Sequence, residues 1–239
     1  MKIALIGYGK MGKAVEAVAL EKGHEIVLRI TSNNKEECTA AKLKVADVVI
    51  EFTNPESAPD NLKKCFEAGV PVVCGSTGWL EKWNEIEQYR NEKNGTLLFA
   101  SNFSVGVNIF FELNKRLASL MNNRPEYNVS IEEIHHTQKK DAPSGTAITL
   151  AEGILNNIQQ KDKWVLGKSE NNNELSISSI RIDPAPGTHI ITYESLIDTI
   201  EIKHTAHSRV GFASGAVLAA EFLKDKNGGG YQMSDVLFK

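Results

Sequence analysis

Cysteine is scarce in this 239-residue chain: Cys38, Cys65 and Cys74 are the whole complement. They are odd in number, widely spaced and form no C-x-x-C, which argues against a disulfide framework or a thiolate zinc site and points to a reducing cytoplasm. Charge of one sign is also lacking, since 27 Lys and Arg face 30 Asp and Glu for a formal net charge of -3. That balance argues against nucleic-acid binding by bulk electrostatics. Long apolar runs are missing too. Stretches such as 46–50 and 70–74 fall far short of the ~18 to 20 residues of a membrane span, so neither a transmembrane helix nor a membrane partner is expected. At the start, one positive charge precedes only four apolar residues before Gly7, too few for a signal-peptide core of ~7 to 15. The expectation is a protein that stays in the cytoplasm where it is made.

What is present is ordinary globular composition, 41% hydrophobic and 24% charged. At ~150 residues per domain the length admits one large domain or two small ones. Over the first hundred residues short apolar runs alternate with helical patterns, the signature of β-α-β units around a parallel sheet buried on both faces. Strands are expected at 2–6, 25–30, 46–52, 70–74 and 96–100, and helices at 10–22, 57–68 and 80–92, with Gly23, Gly69 and Gly95 as terminators. Residues 32–44 are too polar to assign. Past Phe103 the rhythm changes: a helix at 107–121, a strand at 127–135, a helix at 145–158, a polar loop at 162–173, then strand-like runs at 175–182, 189–195 and 199–204. Three consecutive runs suit an antiparallel or mixed sheet. The last helix, 211–223, carries small apolar residues that suit close packing back on the first domain.

The segment Gly7-Tyr8-Gly9-Lys10-Met11-Gly12 fits G-x-G-x-x-G between a strand and a helix. In a dinucleotide site the first glycine makes the tight turn, the second lets backbone approach a pyrophosphate and the third allows close helix–strand packing, with the helix start supplying partial positive charge. The acidic residue ~20 positions on, which would bind the ribose of NAD, is missing: Arg29-Ile30-Thr31-Ser32-Asn33-Asn34-Lys35 has no carboxylate before Glu36. This removes a repulsion against a 2′-phosphate and leaves NADH and NADPH both open. Ligands of open parallel sheets bind beyond the strands' carboxyl ends. The loops expected there, 7–12, 53–57, 75–78 and 101–104, are rich in small polar residues. The fold class is therefore α/β: a Rossmann-like parallel-sheet nucleotide-binding domain over 1–103, rejoined by 210–239, plus an α+β mixed-sheet domain over 104–209.

The densest chemistry lies in the second domain, in Glu132-Glu133-Ile134-His135-His136-Thr137-Gln138-Lys139-Lys140-Asp141-Ala142-Pro143-Ser144-Gly145-Thr146-Ala147. Two histidines at a strand end, two lysines and a Pro-Ser-Gly-Thr turn into a helix combine proton-transfer groups with an anion-binding helix start. Taken singly, the histidine pair reads as structural and the lysine pair as solvated. Metal is not expected, because adjacent strand residues face opposite sides and His204-x-x-His207 has no third ligand near it. Arg181 and Arg209 are candidate carboxylate partners.

These motifs resemble the 4-hydroxy-tetrahydrodipicolinate reductase (dihydrodipicolinate reductase) family of lysine and diaminopimelate biosynthesis. The match runs through the glycine fingerprint, Glu51-Phe52-Thr53-Asn54-Pro55-Glu56, Gly75-Ser76-Thr77-Gly78, Ala100-Ser101-Asn102-Phe103-Ser104, Glu133-Ile134-His135-His136, Lys139-x-Asp141-Ala142-Pro143-Ser144-Gly145-Thr146-Ala147 and His204-x-Ala206-x-Ser208-Arg209. The resemblance implies an NAD(P)H-dependent oxidoreductase in which 104–209 binds substrate and oligomerises, usually into a homotetramer. By motif position it implies His135 as acid/base and Lys139 as proton donor, with His136, Lys139, Gly145, Thr146 and Arg209 holding a dicarboxylate substrate. The cofactor would lie on Gly7, Tyr8, Gly9, Lys10, Met11 and Gly12, on Gly75, Ser76 and Thr77, and on Ala100, Ser101, Asn102 and Phe103. The chain departs from the family pattern at Thr137 and Gln138, where basic residues are usual, at Asp183, usually glycine, and near Thr31 and Ser32, usually acidic. Two rivals remain at this level: another two-domain amino-acid or semialdehyde dehydrogenase, and a module that binds NAD(P) without turning it over.

Overall fold

The computed structural model describes residues 1–208 and 210–238. They form two compact units, Met1–Val105 with Val210–Lys239 and Gly106–Arg209.

The first unit is built on six strands: β1 (Lys2–Ile6), β2 (Glu25–Ile30), β3 (Val48–Glu51), β4 (Val72–Cys74), β5 (Thr96–Phe99) and β11 (Gly229–Tyr231). Their order is β11-β5-β4-β3-β1-β2 and every pairing is parallel. Both faces are covered, so the central strands read as continuous apolar runs, with all four residues of β3 and all three of β4 buried. The helices are α1 (Lys10–Glu21), the short α2 (Ala40–Leu43), α3 (Ala58–Ala68), α4 (Trp83–Glu92), α7 (Val210–Leu223) and α8 (Met233–Leu237). Residues 32–44, too polar to assign from sequence, hold a single 3₁₀ turn and α2, which is capped by Thr39 Oγ1 accepting from Lys42 N at 3.3 Å. Helix α4 begins three residues later than expected, after a 3₁₀ turn at Leu80–Lys82. Its left-handed terminator is Asn94 (φ 49°), not Gly95. Gly95 answers a different demand, because a Cβ there would lie 2.6 Å from the Phe66 ring. Helix α7 is small-residued for the same kind of reason: a Cβ on Gly215 would fall 1.7 Å from the Phe103 carbonyl oxygen.

The second unit holds α5 (Val105–Met121, beginning at the boundary), β6 (Asn128–His135), α6 (Gly145–Leu155), β7 (Lys163–Leu166), β8 (Glu174–Arg181), β9 (Gly187–Glu194) and β10 (Thr199–Ala206). The sheet is mixed, in the order β10-β9-β6-β8-β7, with β6 antiparallel to β9 and parallel to β8. The polar stretch expected as a loop contains β7, an edge strand that pairs in parallel with β8 and remains half to fully exposed. Its Trp-Val-Leu run is short, and the β8 ladder orders it within a stretch that is otherwise polar. One sheet face packs under α5 and α6 through Phe110, Ala118, Leu150 and Ile154 against Val129, Ile131, Ile177, Ile191 and Tyr193. Alternation along β6 puts Val129, Ile131, Glu133 and His135 on that buried face. The last two therefore carry charge and titratable nitrogen into a core.

Candidate active site

In the first unit β1 ends at Gly7, whose φ is 93° and whose added Cβ would lie 2.0 Å from the Phe52 carbonyl oxygen at the exit of β3. A Cβ on Gly12 would lie 2.2 Å from the Gly7 oxygen, so α1 packs directly on the turn. Gly9, the N-cap of α1, has nothing within 4 Å of its Cβ position. Tight glycines on both sides of an open one form a backbone cradle at a helix start, which suits a pyrophosphate. Lys10 is exposed beside it and Met11 half-buried. Neighbouring parallel strands deliver the other expected cofactor segments to the same sheet edge. Thr53 N donates to Ser76 Oγ at 2.7 Å, tying the loops after β3 and β4 together. Gly75 lies against the Phe52 ring, where a Cβ would come within 2.1 Å. Thr77 and Ser101 are exposed, Ala100 and Asn102 partly so, and buried Phe103 packs edge-on to Phe52.

Beyond β2, Asn34 Oδ1 accepts from Thr31 N at 2.7 Å and Thr31 Oγ1 at 2.8 Å, so an amide organises the turn where a ribose-binding carboxylate would stand. Tyr8 hydroxyl and Arg29 guanidinium both donate to Glu16, and Arg29 holds that carboxyl below its usual range.

In the second unit strand register assembles the polar cluster. Glu133 lies opposite His189 on β9 and beside Ser179 on β8, while His135 lies beside Arg181. Fully buried Glu133 accepts through Oε1 from Ser179 Oγ at 2.7 Å and Arg181 Nη2 at 3.0 Å, and through both oxygens from Ser144 N at 3.1 Å. Burial pushes its pKa up, but these donors outweigh burial and hold it at about 2. His189 Nε2 is 3.2 Å from Ser144 Oγ, and burial lowers its pKa to about 4. Burial also lowers His135, against the opposing pull of Glu133.

Lys139 Nζ donates to both Asp141 oxygens at 2.8 Å. Burial raises the Asp141 pKa, and the Lys139 ammonium more than offsets it. His136 follows β6, half-buried, and its carbonyl accepts from Lys139 N at 3.1 Å, closing the turn that brings Lys139 back. Ser144 caps α6 by accepting from Ala147 N at 3.2 Å. Gly145 is exposed, with nothing within 4 Å of its Cβ position, and Thr146 follows it in the first turn, where helix amides face outward. The candidate Arg209 lies outside the described residues.

Glu133, His135, Lys139 and the start of α6 are thus brought together, and Arg181 joins them through Glu133 and through the Asp141 carbonyl at 2.6 Å. His189 was not singled out from sequence, since its place depends on register. Glu133 had a visible signal, a carboxylate in phase with Val129 and Ile131. Ligand atoms of Glu133, His135 and His189 lie within 4.8 Å of one another, metal-like spacing. Glu133, however, is already engaged by a guanidinium, a hydroxyl and an amide, so a cation there would compete with Arg181.

Two of the departures from the family pattern meet each other. Thr137 donates to Asp183 through N at 3.3 Å and Oγ1 at 2.5 Å, fastening the turn that carries His136 and Lys139.

The models for the N-terminus and the C-terminus of dihydrodipicolinate reductase match residues 1–103 and 106–237. The chain is 46% identical over 237 residues to 4-hydroxy-tetrahydrodipicolinate reductase of Christiangramia forsetii, covering 99% of this chain and 98% of that protein. It is 36% identical to the Bdellovibrio bacteriovorus protein of the same name, covering 100% and 96%. The dipicolinate-bound dihydrodipicolinate reductase of Paenisporosarcina sp. TG-14 shares the fold, with a TM-score of 0.76, 23% identity and 99% coverage of both chains. An amine dehydrogenase of Mycobacterium smegmatis also shares it, with a TM-score of 0.64, 12% identity and coverage of 96% and 94%, so fold alone does not choose the substrate. Matched by family models in both parts and by relatives along its whole length, this chain belongs to the dihydrodipicolinate reductase family.

Proposed function

We propose that this chain is the NAD(P)H-dependent 4-hydroxy-tetrahydrodipicolinate reductase of lysine and diaminopimelate biosynthesis, acting in the cytoplasm. The observation that carries the reading is the convergence of His135, Lys139 and the Ser144-capped start of α6 on one strand end, in a chain whose other unit holds an open glycine cradle. The reaction adds one hydride and one proton to the cyclic dicarboxylate and releases its hydroxyl as water. The 7–12, 75–77 and 100–103 segments would hold the reduced nicotinamide cofactor, which supplies the hydride when bound. His136, Lys139, Gly145, Thr146 and Arg209 would hold the substrate carboxylates through ring, ammonium and guanidinium N–H groups and outward helix amides. Lys139 would deliver the proton once a substrate carboxylate competes with Asp141 for its ammonium, and His135 would relay it. No helix among the described residues is long and apolar enough to cross a membrane.

A homotetramer is part of this reading. The sheet face away from α5 and α6 carries Ile134, Ile180, Thr188 and Ile190, half-exposed to exposed within this chain. Light scattering on the purified protein should give four times 26.3 kDa. Initial rates of NADPH and NADH oxidation with the dicarboxylate, beside aspartate semialdehyde, test the activity. Oxidation with the semialdehyde alone, or cofactor binding without turnover, would reject it.

A further inference from the structure

We propose that Glu133 is a positioning residue for His135, its Oε2 oxygen holding the ring proton on Nδ1 so that Nε2 is the atom that exchanges a proton at the substrate. The proposal rests on the reading of His135 as acid/base.

Its geometry is that of a carboxylate behind an imidazole. His135 Nδ1 is one of three buried side-chain polar atoms among the described residues with no hydrogen-bond partner, and it lies 3.4 Å from Glu133 Oε2. An unpaired buried nitrogen is costly. A shift of about 0.5 Å would bring this pair to ordinary hydrogen-bond length. Glu133 Oε1 is occupied by Ser179 and Arg181, whereas Oε2 shares only the Ser144 amide and keeps a lone pair for a ring N–H. The competitor for that lone pair is His189, whose Nε2 is 3.8 Å from Oε2. Ser144 Oγ stands nearer to His189 Nε2, at 3.2 Å, so His189 has a hydroxyl partner closer than the carboxylate. The His135 and His189 rings meet edge to face at 5.2 Å, which fixes the His135 plane. At the other end of the ring, a Cβ on residue 187 would stand 3.1 Å from Nε2, and glycine keeps that space open. The groups that bear on the His135 charge are Glu133 on its own strand, Lys139 and Asp141 on the following turn, Arg181 on β8 and His189 on β9. Glu133 is the nearest carboxylate to the ring, so the imidazolium that forms during proton transfer is stabilised from behind, the part the buried carboxylate plays in serine-protease triads.

Glu133→Gln keeps an acceptor oxygen and removes the charge. It should lower kcat at least about 10-fold, leave KM for NADPH unchanged, and move the His135-dependent limb of the kcat–pH profile to lower pH. A merely structural Glu133 would lower the melting temperature and leave that limb in place. Nitrogen-15 NMR of the wild-type ring, assigned with His135→Asn, gives a second test that does not depend on the glutamine variant folding. It should show the proton on Nδ1 in the neutral ring. An unchanged pH profile in Glu133→Gln, or a neutral ring protonated on Nε2, overturns the proposal. If His135→Asn itself turns over at the wild-type rate, the acid/base reading of His135 fails first and the proposal with it.

Discussion

The three fingerprint glycines should respond differently to one methyl group, and that difference separates a cofactor cradle from an ordinary turn. In Gly7→Ala the new Cβ would sit 2.0 Å from the Phe52 carbonyl oxygen in a backbone with φ of 93°. A left-handed conformation costs a residue with a side chain ~1 to 2 kcal/mol, and overpacking costs ~1 to 3 kcal/mol, so a loss of about 2 to 5 kcal/mol is expected. For a chain of this size that corresponds to a melting-temperature drop of about 4 to 20 °C. Gly9→Ala meets no atom within 4 Å and has a φ of -84°, so the fold should lose no more than about 1 kcal/mol. If a pyrophosphate sits against Gly9, the same methyl intrudes on the ligand at ~1 to 3 kcal/mol, weakening NADPH binding about 5- to 150-fold. Calorimetric titration of NADPH beside thermal denaturation reads both quantities on each variant. Wild-type affinity in a stable Gly9→Ala protein would refute the cradle and leave a glycine turn that binds nothing.

Three further outcomes are expected. Lys139→Ala should lower kcat ~10² to 10⁴-fold, the usual value of a positioned general acid, with KM for NADPH unchanged in initial-rate assays. Acid should destabilise the fold in two stages. The unfolded chain protonates His189 near pH ~6.5 while the folded chain resists until about 4, so stability falls across that interval by at most about 1.4 kcal/mol per pH unit. The Glu133 contribution is then lost between about 4.3 and its folded value of about 2. Urea denaturation from pH 7 to 4 measures the first stage, and His189→Gln should flatten it. Finally, Asp183→Gly should release the Thr137 clasp and raise KM for the dicarboxylate about 3- to 10-fold, a loss of ~0.6 to 1.4 kcal/mol, while KM for NADPH stays constant. An equal rise in both KM values would show that the clasp is not specific to the substrate turn.

Local chemistry made much of the fold legible. Strands β1 and β2 end where their apolar runs end, and Gly23 and Gly69 take the left-handed conformations expected of helix terminators. The glycine spacing, the strand before it and the helix after it can be read together because all lie within twenty residues. Where backbone order comes from a distant partner, sequence alone was silent. Lys163–Leu166 holds a run of only three apolar residues inside a longer polar, Asn-rich stretch, too short to be read as a strand, and it is one because β8 offers a ladder. Gly229–Tyr231 has almost no side-chain pattern, yet it extends the first sheet by pairing with β5.

The candidate site divides in the same way. Residue types and spacing from Glu132 to Ala147 carry the reading of a proton-transfer and anion-binding loop, and the alternation of Val129, Ile131 and Glu133 is a period-two signal for the inward face that the structure shows. Pairing across β8 and β9 then placed Ser179, Arg181 and His189 around that carboxylate, from positions 46 to 56 residues further along the chain. Sequence determines which groups can titrate and which backbone shapes each residue tolerates. Only the tertiary structure decides which charges are buried together, because burial and strand register come from partners remote in the chain, and these set the ionisation of His189 and Glu133.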